Sequence, residues 1–132
     1  MTNKGLILLV DIDATKDQQE PTQGTDLQIL NNRLIQRGYS TQLYDPIKKL
    51  DEINYIATVI ELPQSSKPNI ERVKKIMLAL RTNMQVPVIA LSSSEGECEY
   101  KKYIESSVTV IDSFRVDSYR QADKIEDLVR KK

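Results

Sequence analysis

Polar side chains able to do chemistry stand at the ends of four apolar runs in the chain. Asp11, Ile12 and Asp13 close GLILLV, Glu61 closes YIATVI, Ser92 closes VPVIAL, and Asp112 with Ser113 closes VTVI. If those runs are neighbouring strands, Asp11 and Glu61 are candidates to share a Mg²⁺ ion, and Ser92 to Ser94 are candidates to contact a phosphate. The ordinary reading comes first: Asp11, Glu61 and Asp112 are solvated acids at strand ends, and the serines form a loop and a helix cap.

Composition narrows the chemistry further. The chain has no histidine, which removes the usual neutral-pH proton shuttle, the commonest metal ligand and every Ser/His or Cys/His arrangement. Its one cysteine, Cys98, cannot form an internal disulfide or complete a zinc cluster. Flanked by Glu97 and Glu99, that thiol is read as inert, because nearby negative charge disfavours the thiolate. Nineteen basic and nineteen acidic residues cancel, so the broad positive field that attracts nucleic acid or anionic membranes is missing. The Lys74, Lys75 and Lys101, Lys102 pairs are read as solvated helix faces. No stretch approaches the roughly 18 apolar residues of a membrane span, and Gly5–Val10 is too short for a signal-peptide core. We therefore expect a cytoplasmic protein with neither nucleic-acid nor membrane partners.

The elements that must position these groups follow from periodicity. Solidly apolar or alternating runs alternate with stretches of helical period across all 132 residues, giving five βα units in a single domain. The first strand, GLILLVDI, is apolar on both faces, as in a central strand of a parallel sheet covered on both sides. A polar loop, Asp13 to Gly24, precedes a helix in TDLQILNNRLIQRG. Thr25 or Asp26 caps that helix, Leu27, Leu30 and Leu34 make its stripe with Ile35 at the margin, and Gly38 stops it. YSTQLY is polar enough for an edge strand, and DPIKKLDEI predicts a short helix behind Asp45 and Pro46. The third strand is YIATVIEL. Pro68 opens the next helix, PNIERVKKIMLALRTN, with Ile70, Val73, Ile76 or Met77, and Leu80 inward. VPVIALSS, a weak helix in EGECEYKKYI, VTVIDSF and DSYRQADKIEDLVRKK complete the series, the last with Tyr119, Ala122, Ile125 and Leu128 or Val129 facing the core. Right-handed crossovers then give a flavodoxin-like three-layer α/β sandwich, a five-stranded parallel sheet of order 2-1-3-4-5. The first βα connection has one glycine, Gly24, far from the strand end, which rules out a dinucleotide loop. The same loop is acidic where a flavin phosphate would need a cradle of Ser, Thr and Gly.

In this arrangement the chain resembles receiver domains of two-component signalling. Receivers place an acidic pair after strand one for magnesium, a phosphate-accepting aspartate after strand three, Ser or Thr after strand four and lysine after strand five. Asp11 matches the first acid, Ile12 takes the place of the second, and Asp13 points elsewhere if the strand continues. Ser92 matches the hydroxyl position. Glu61 stands for the acceptor with one methylene more, and TVIDSF offers no lysine. Phosphoryl transfer depends on positioning and charge neutralisation, so these departures remove most of the mechanism. Asp11, Asp13, Glu61, Ser92 and Asp112 are thus expected to be a degenerate receiver site, with no catalytic, cofactor-binding or metal-binding residue.

A second resemblance covers more of the chain. The long loop after strand one, NNRLIQRGYST, VPVIALSSS and above all VTVIDSFRVDSYRQADKIEDLVRK look like the N-terminal wing domain of bacterial pyridoxal-phosphate-dependent ornithine/lysine/arginine decarboxylases. The wing is itself receiver-like. The resemblance implies no catalytic residue in this chain. The pyridoxal phosphate and its lysine, in a Ser-x-His-Lys motif, belong to a later domain of a parent enzyme. It also implies a part in oligomer assembly, through self-association or contact with the catalytic core. The alternative expectation is a phosphorylation-independent pseudo-receiver in a signalling protein, with Glu61 imitating a charged acceptor.

Overall fold

A computed structural model describes residues 3–15, 17–45, 53–63, 66–80, 86–92, 100 and 108–130. The helix expected after Pro46 and most of the one expected in EGECEYKKYI lie outside those residues, as do Cys98, Ser93, Ser94, Lys101 and Lys102.

The described elements are β1 (Leu6–Asp11), α1 (Asp26–Gln36), β2 (Ser40–Leu43), β3 (Ala57–Leu62), α2 (Lys67–Leu80), β4 (Val88–Ser92), β5 (Thr109–Asp112) and α3 (Ser118–Arg130). All strand pairs are parallel, and the sheet order is β2-β1-β3-β4-β5, as the sequence pattern predicts. The polar β2 takes one edge.

Alternation along the strands sorts the sheet into two faces. Ile7, Leu9, Ala57, Val59, Ile89, Leu91 and Ile111 pack against Leu27, Leu30 and Leu34 of α1 and Ala122 and Ile125 of α3. On the other face Val10, Ile12, Ile60, Leu62 and Ala90 meet Val73 of α2 and the buried Tyr100. Tyr55 and Val86 extend this layer with Leu8 and Leu80. Among the described residues no helix is long and apolar enough to cross a membrane.

Local chemistry sets the helix ends. Thr25 accepts from the Gln28 amide at 3.2 Å, and Gly38, at φ +100°, supplies the left-handed stop. The third predicted helix starts one residue early, at Lys67, because Ser66 Oγ caps it through the Asn69 amide at 3.3 Å. Asp117 does the same for α3 through Arg120 N at 2.9 Å.

Two core expectations are corrected. Ile35 is 51% exposed: it follows Leu34 by about 100° around the helix, which turns it off the stripe. Tyr119 is 56% exposed, because its ring carries the guanidinium of Arg33 at 4.1 Å. α3 instead buries Gln121 and Glu126 alongside Ala122 and Ile125. Glu126 is held there by three cations, Arg37 Nη1 at 3.2 Å, Arg130 Nη2 at 3.3 Å and Lys4 Nζ at 3.9 Å. Arg37 also reaches Asp123 at 2.6 Å, and this is the main reason its guanidinium pKa is raised. The end of α1, the start of the chain and α3 are thereby joined by one ionic cluster.

Candidate functional site

Strand register decides which of the predicted site residues meet. Asp11 pairs with Glu61 across β1 and β3, and Ser92 pairs with Leu62 on one side and Asp112 on the other. Glu61 alternates with Leu62, whose side chain belongs to the α2 face. Asp11 and Glu61 therefore lie towards α1, whereas Ser92 and Asp112 fall on the opposite side of the sheet. The strand ends supply two separate pairs.

Asp11 is occupied by its own loop. One carboxylate oxygen accepts from Thr22 N and Thr22 Oγ1, both at 2.7 Å, and from Gln18 Nε2 at 3.4 Å. The other accepts from Asp13 N at 3.1 Å. Gln18 Nε2 also bonds the Glu20 carbonyl at 2.7 Å. A connection of this length would otherwise carry many unpaired backbone groups, and the charge-assisted bonds to Asp11 fold it back onto β1.

Glu61 uses its length to reach α1. Its Oε1 accepts from Leu27 N at 3.2 Å, and the Asp26 amide also donates to the carboxylate. These are free amides of a helix start, which favour a negative group. Burial nevertheless pushes the Glu61 carboxyl above the ordinary glutamate value. The Leu27 amide opposes that shift, and the charges of Asp26 and Asp11 add to it. The strand-end acids Asp11 and Glu61 are thus embedded in hydrogen bonds, where the sequence reading has solvated side chains.

The remaining positions serve local structure. Asp13 leaves the strand and lies 3.7 Å from Arg72 Nη1, while Arg72 Nη2 bonds the Ile12 carbonyl. Asp112 accepts from Phe114 N at 3.0 Å and sits 3.7 Å from Arg115 Nε. Ser92 is buried, and its carbonyl accepts from Ser113 N at 2.8 Å. Ser113 Oγ lies 2.9 Å from Asp26 Oδ2 and 3.0 Å from the same Ser92 carbonyl, tying β4 and β5 to the start of α1. Among the described residues no three His, Cys, Asp or Glu side chains gather as a metal site.

Gln18, Thr22, Asp26 and Arg72 belong to this arrangement, and the sequence does not point to any of them as a site residue. Only Asp26 carried a signal there, as a helix cap. Gln18 and Thr22 lie in a loop without period, and Arg72 is one basic residue among several on an exposed helix face.

No protein-family model matches the sequence, and no curated protein matches it. Solved structures do. The receiver domain of the Francisella response regulator 1452 superposes with TM-score 0.64 at 15% identity, over 96% of this chain and 98% of that one. A two-component response regulator from Clostridium difficile gives 0.62 at 19% identity, over 96% of each chain. A response regulator receiver protein from Pseudoalteromonas atlantica gives 0.59 at 16%, over 96% and 98%. The chain has the receiver fold. At these identities the likeness is one of architecture, and the use made of the receiver fold is read from the residues at its strand ends.

The bonds of Asp11 make a measurable prediction for this receiver fold. Asp11→Ala should lower the stability by about 1–2 kcal/mol and speed amide exchange at Thr22 by about tenfold. Exchange measured by NMR checks it. An unchanged rate at Thr22 would show that the loop holds its shape without Asp11.

Proposed function

We propose that this chain is a receiver-fold interaction domain that works without phosphorylation, and that it serves as the non-catalytic N-terminal wing of a pyridoxal-phosphate-dependent ornithine/lysine/arginine decarboxylase. The observation that carries the first half is the engagement of Glu61 by the first amides of α1. A carboxylate that takes up a phosphoryl group must be open to an in-line donor, with charge neutralised beside it. Glu61 instead points into a helix start, with Asp11 and Asp26 adding negative charge.

The parent enzyme is a proposal from sequence pattern, carried by VTVIDSFRVDSYRQADKIEDLVRK, whereas the fold comparisons run to response regulators. On this reading the chain contributes contacts to assembly or regulation, and the cofactor lysine lies outside it.

Incubation with acetyl phosphate and Mg²⁺ should leave the intact mass unchanged. A stable adduct of one phosphoryl group would overturn the phosphorylation-independent reading. The coding sequence after Lys132 tests the parent: a long continuing chain with a Ser-x-His-Lys motif supports the decarboxylase, and a signalling output domain replaces it with the pseudo-receiver reading.

A further inference from the structure

The sheet ends on one side in β2, whose pairing with β1 fixes where its backbone groups point. Ser40 N donates to the Gly5 carbonyl at 2.9 Å and Tyr44 N to the Leu9 carbonyl at 2.7 Å, so the even-numbered residues face β1. Backbone groups alternate sides along a strand, which turns the N–H and C=O of Thr41 and Leu43 outward. Among the described residues no hydrogen bond reaches these outward groups.

Open edges in natural sheets usually carry a charge, a proline or a bulge that refuses a second strand. The opposite edge does: β5 ends in Asp112, 3.7 Å from Arg115 Nε. β2 has an unbroken register with β1, and although 29% of the chain is charged, Tyr39 to Tyr44 contains neither a charge nor a proline. The helix beside it continues the neutral surface. Thr41 Oγ1 donates to Asn31 Oδ1 at 2.6 Å, which sets this side of α1 against β2. Gln28 and Ile35, one turn to either side of Asn31, share that side, and Ile35 is 51% exposed there. The cations of α1 and its end turn the other way, Arg33 to Ser118 and Arg37 to Asp123. Depletion of charge around an exposed apolar side chain is the composition of an interface core.

We propose that a second copy of this chain adds to the sheet at the β2 edge, antiparallel, about a two-fold axis at Gln42. The outward groups make this register self-complementary. Thr41 lies opposite Leu43 of the second copy, and Leu43 opposite its Thr41, so outward donors meet outward acceptors in four hydrogen bonds. Gln42 then faces its own counterpart as a non-hydrogen-bonded pair, with Cα atoms about 4.5 Å apart. A second copy also brings a second Ile35 to the α1 side of the joined sheet, which a lone strand of another protein does not. Two outward residues from each copy make a contact below the roughly 1,200 Å² of standard interfaces, so the association is weak. The proposal rests on the interaction reading above and gives its self-association a place. Neither the acetyl phosphate assay nor the coding sequence after Lys132 involves this edge, so those tests and the one below fail independently.

The experiment is sedimentation equilibrium of the full chain up to about 1 mM, with amide NMR over the same dilution series. The expected result is a monomer–dimer equilibrium half complete at roughly 0.1–1 mM, with concentration-dependent shifts centred on Thr41, Gln42 and Leu43. Gln42→Lys and Gln42→Glu each set like charges across the axis and should weaken the dimer about tenfold. An equimolar mixture of the two should associate at least as well as the unaltered chain, because this register alone sets residue 42 against itself. Circular dichroism confirms that each variant folds. A monomer at about 1 mM would leave the edge to a strand of another protein and overturn the proposal. Shifts centred elsewhere, single variants that dimerise as the unaltered chain does, or a mixture no better than its components would each overturn it too.

Discussion

Truncating Leu30 to alanine is expected to lower the unfolding free energy by about 3–4 kcal/mol. Leu30 is fully buried between Leu27 and Leu34, and the three form the seam by which α1 lies on β1 and β3. The truncation removes apolar surface and leaves a void that neighbours on a sheet cannot collapse to fill. Domains of this size are stable by about 5–15 kcal/mol, so the loss takes a large share of the total. A urea titration should show a lower midpoint with unchanged slope. Leu78→Ala is the control: that side chain is 63% exposed, and its loss should change stability by no more than about 0.5 kcal/mol. Equal effects at the two positions would contradict the packing described.

Glu61 makes the second prediction, and it separates acceptor from charge. Glu61→Ala removes the acceptor for the first amides of α1 and should destabilise by about 2 kcal/mol. Glu61→Gln keeps an oxygen in reach and discards a charge crowded by Asp11 and Asp26, so at neutral pH it should be at least as stable as the unaltered chain. The pH dependence follows from the raised pKa. Between the ordinary glutamate value and the raised one, the folded chain binds more protons than the unfolded chain. The Glu61 contribution is thus most favourable below the ordinary value, falls as pH climbs to the raised one, and is flat above it. Subtracting the Glu61→Gln curve from that of the unaltered chain isolates this fall. A difference that grows more favourable with rising pH would mean that the carboxylate is stabilised by the helix start and not strained by burial.

Much of this architecture is legible in the sequence because each element is written locally. The apolar run of β1 announces a two-sided strand, the polarity of Ser40 and Gln42 marks an edge, and Thr25 and Gly38 bracket α1. Tyr119 departs from the helical period for a physical reason. Helical period assigns an aromatic near Ala122 to the core, but the partner that draws it outward, Arg33, lies on another helix. The strand ends fail differently. Their residue types are plain, yet what Asp11 does depends on Thr22 in a loop without period, and what Glu61 does depends on an amide 34 positions earlier. Only the β1–β3 register brings those groups together.

The ionic cluster around Glu126 bears on the order in which the chain is made. β1 is made well before α3, yet the cover of its Ile7 and Leu9 includes Ala122 and Ile125 of that helix, and the ion pair that joins Lys4 to it needs Glu126. Contacts so distant in sequence close slowly, because the intervening loop must lose its freedom first. During translation β1 thus keeps one flank uncovered until α3, its distant partner in sequence, has been made.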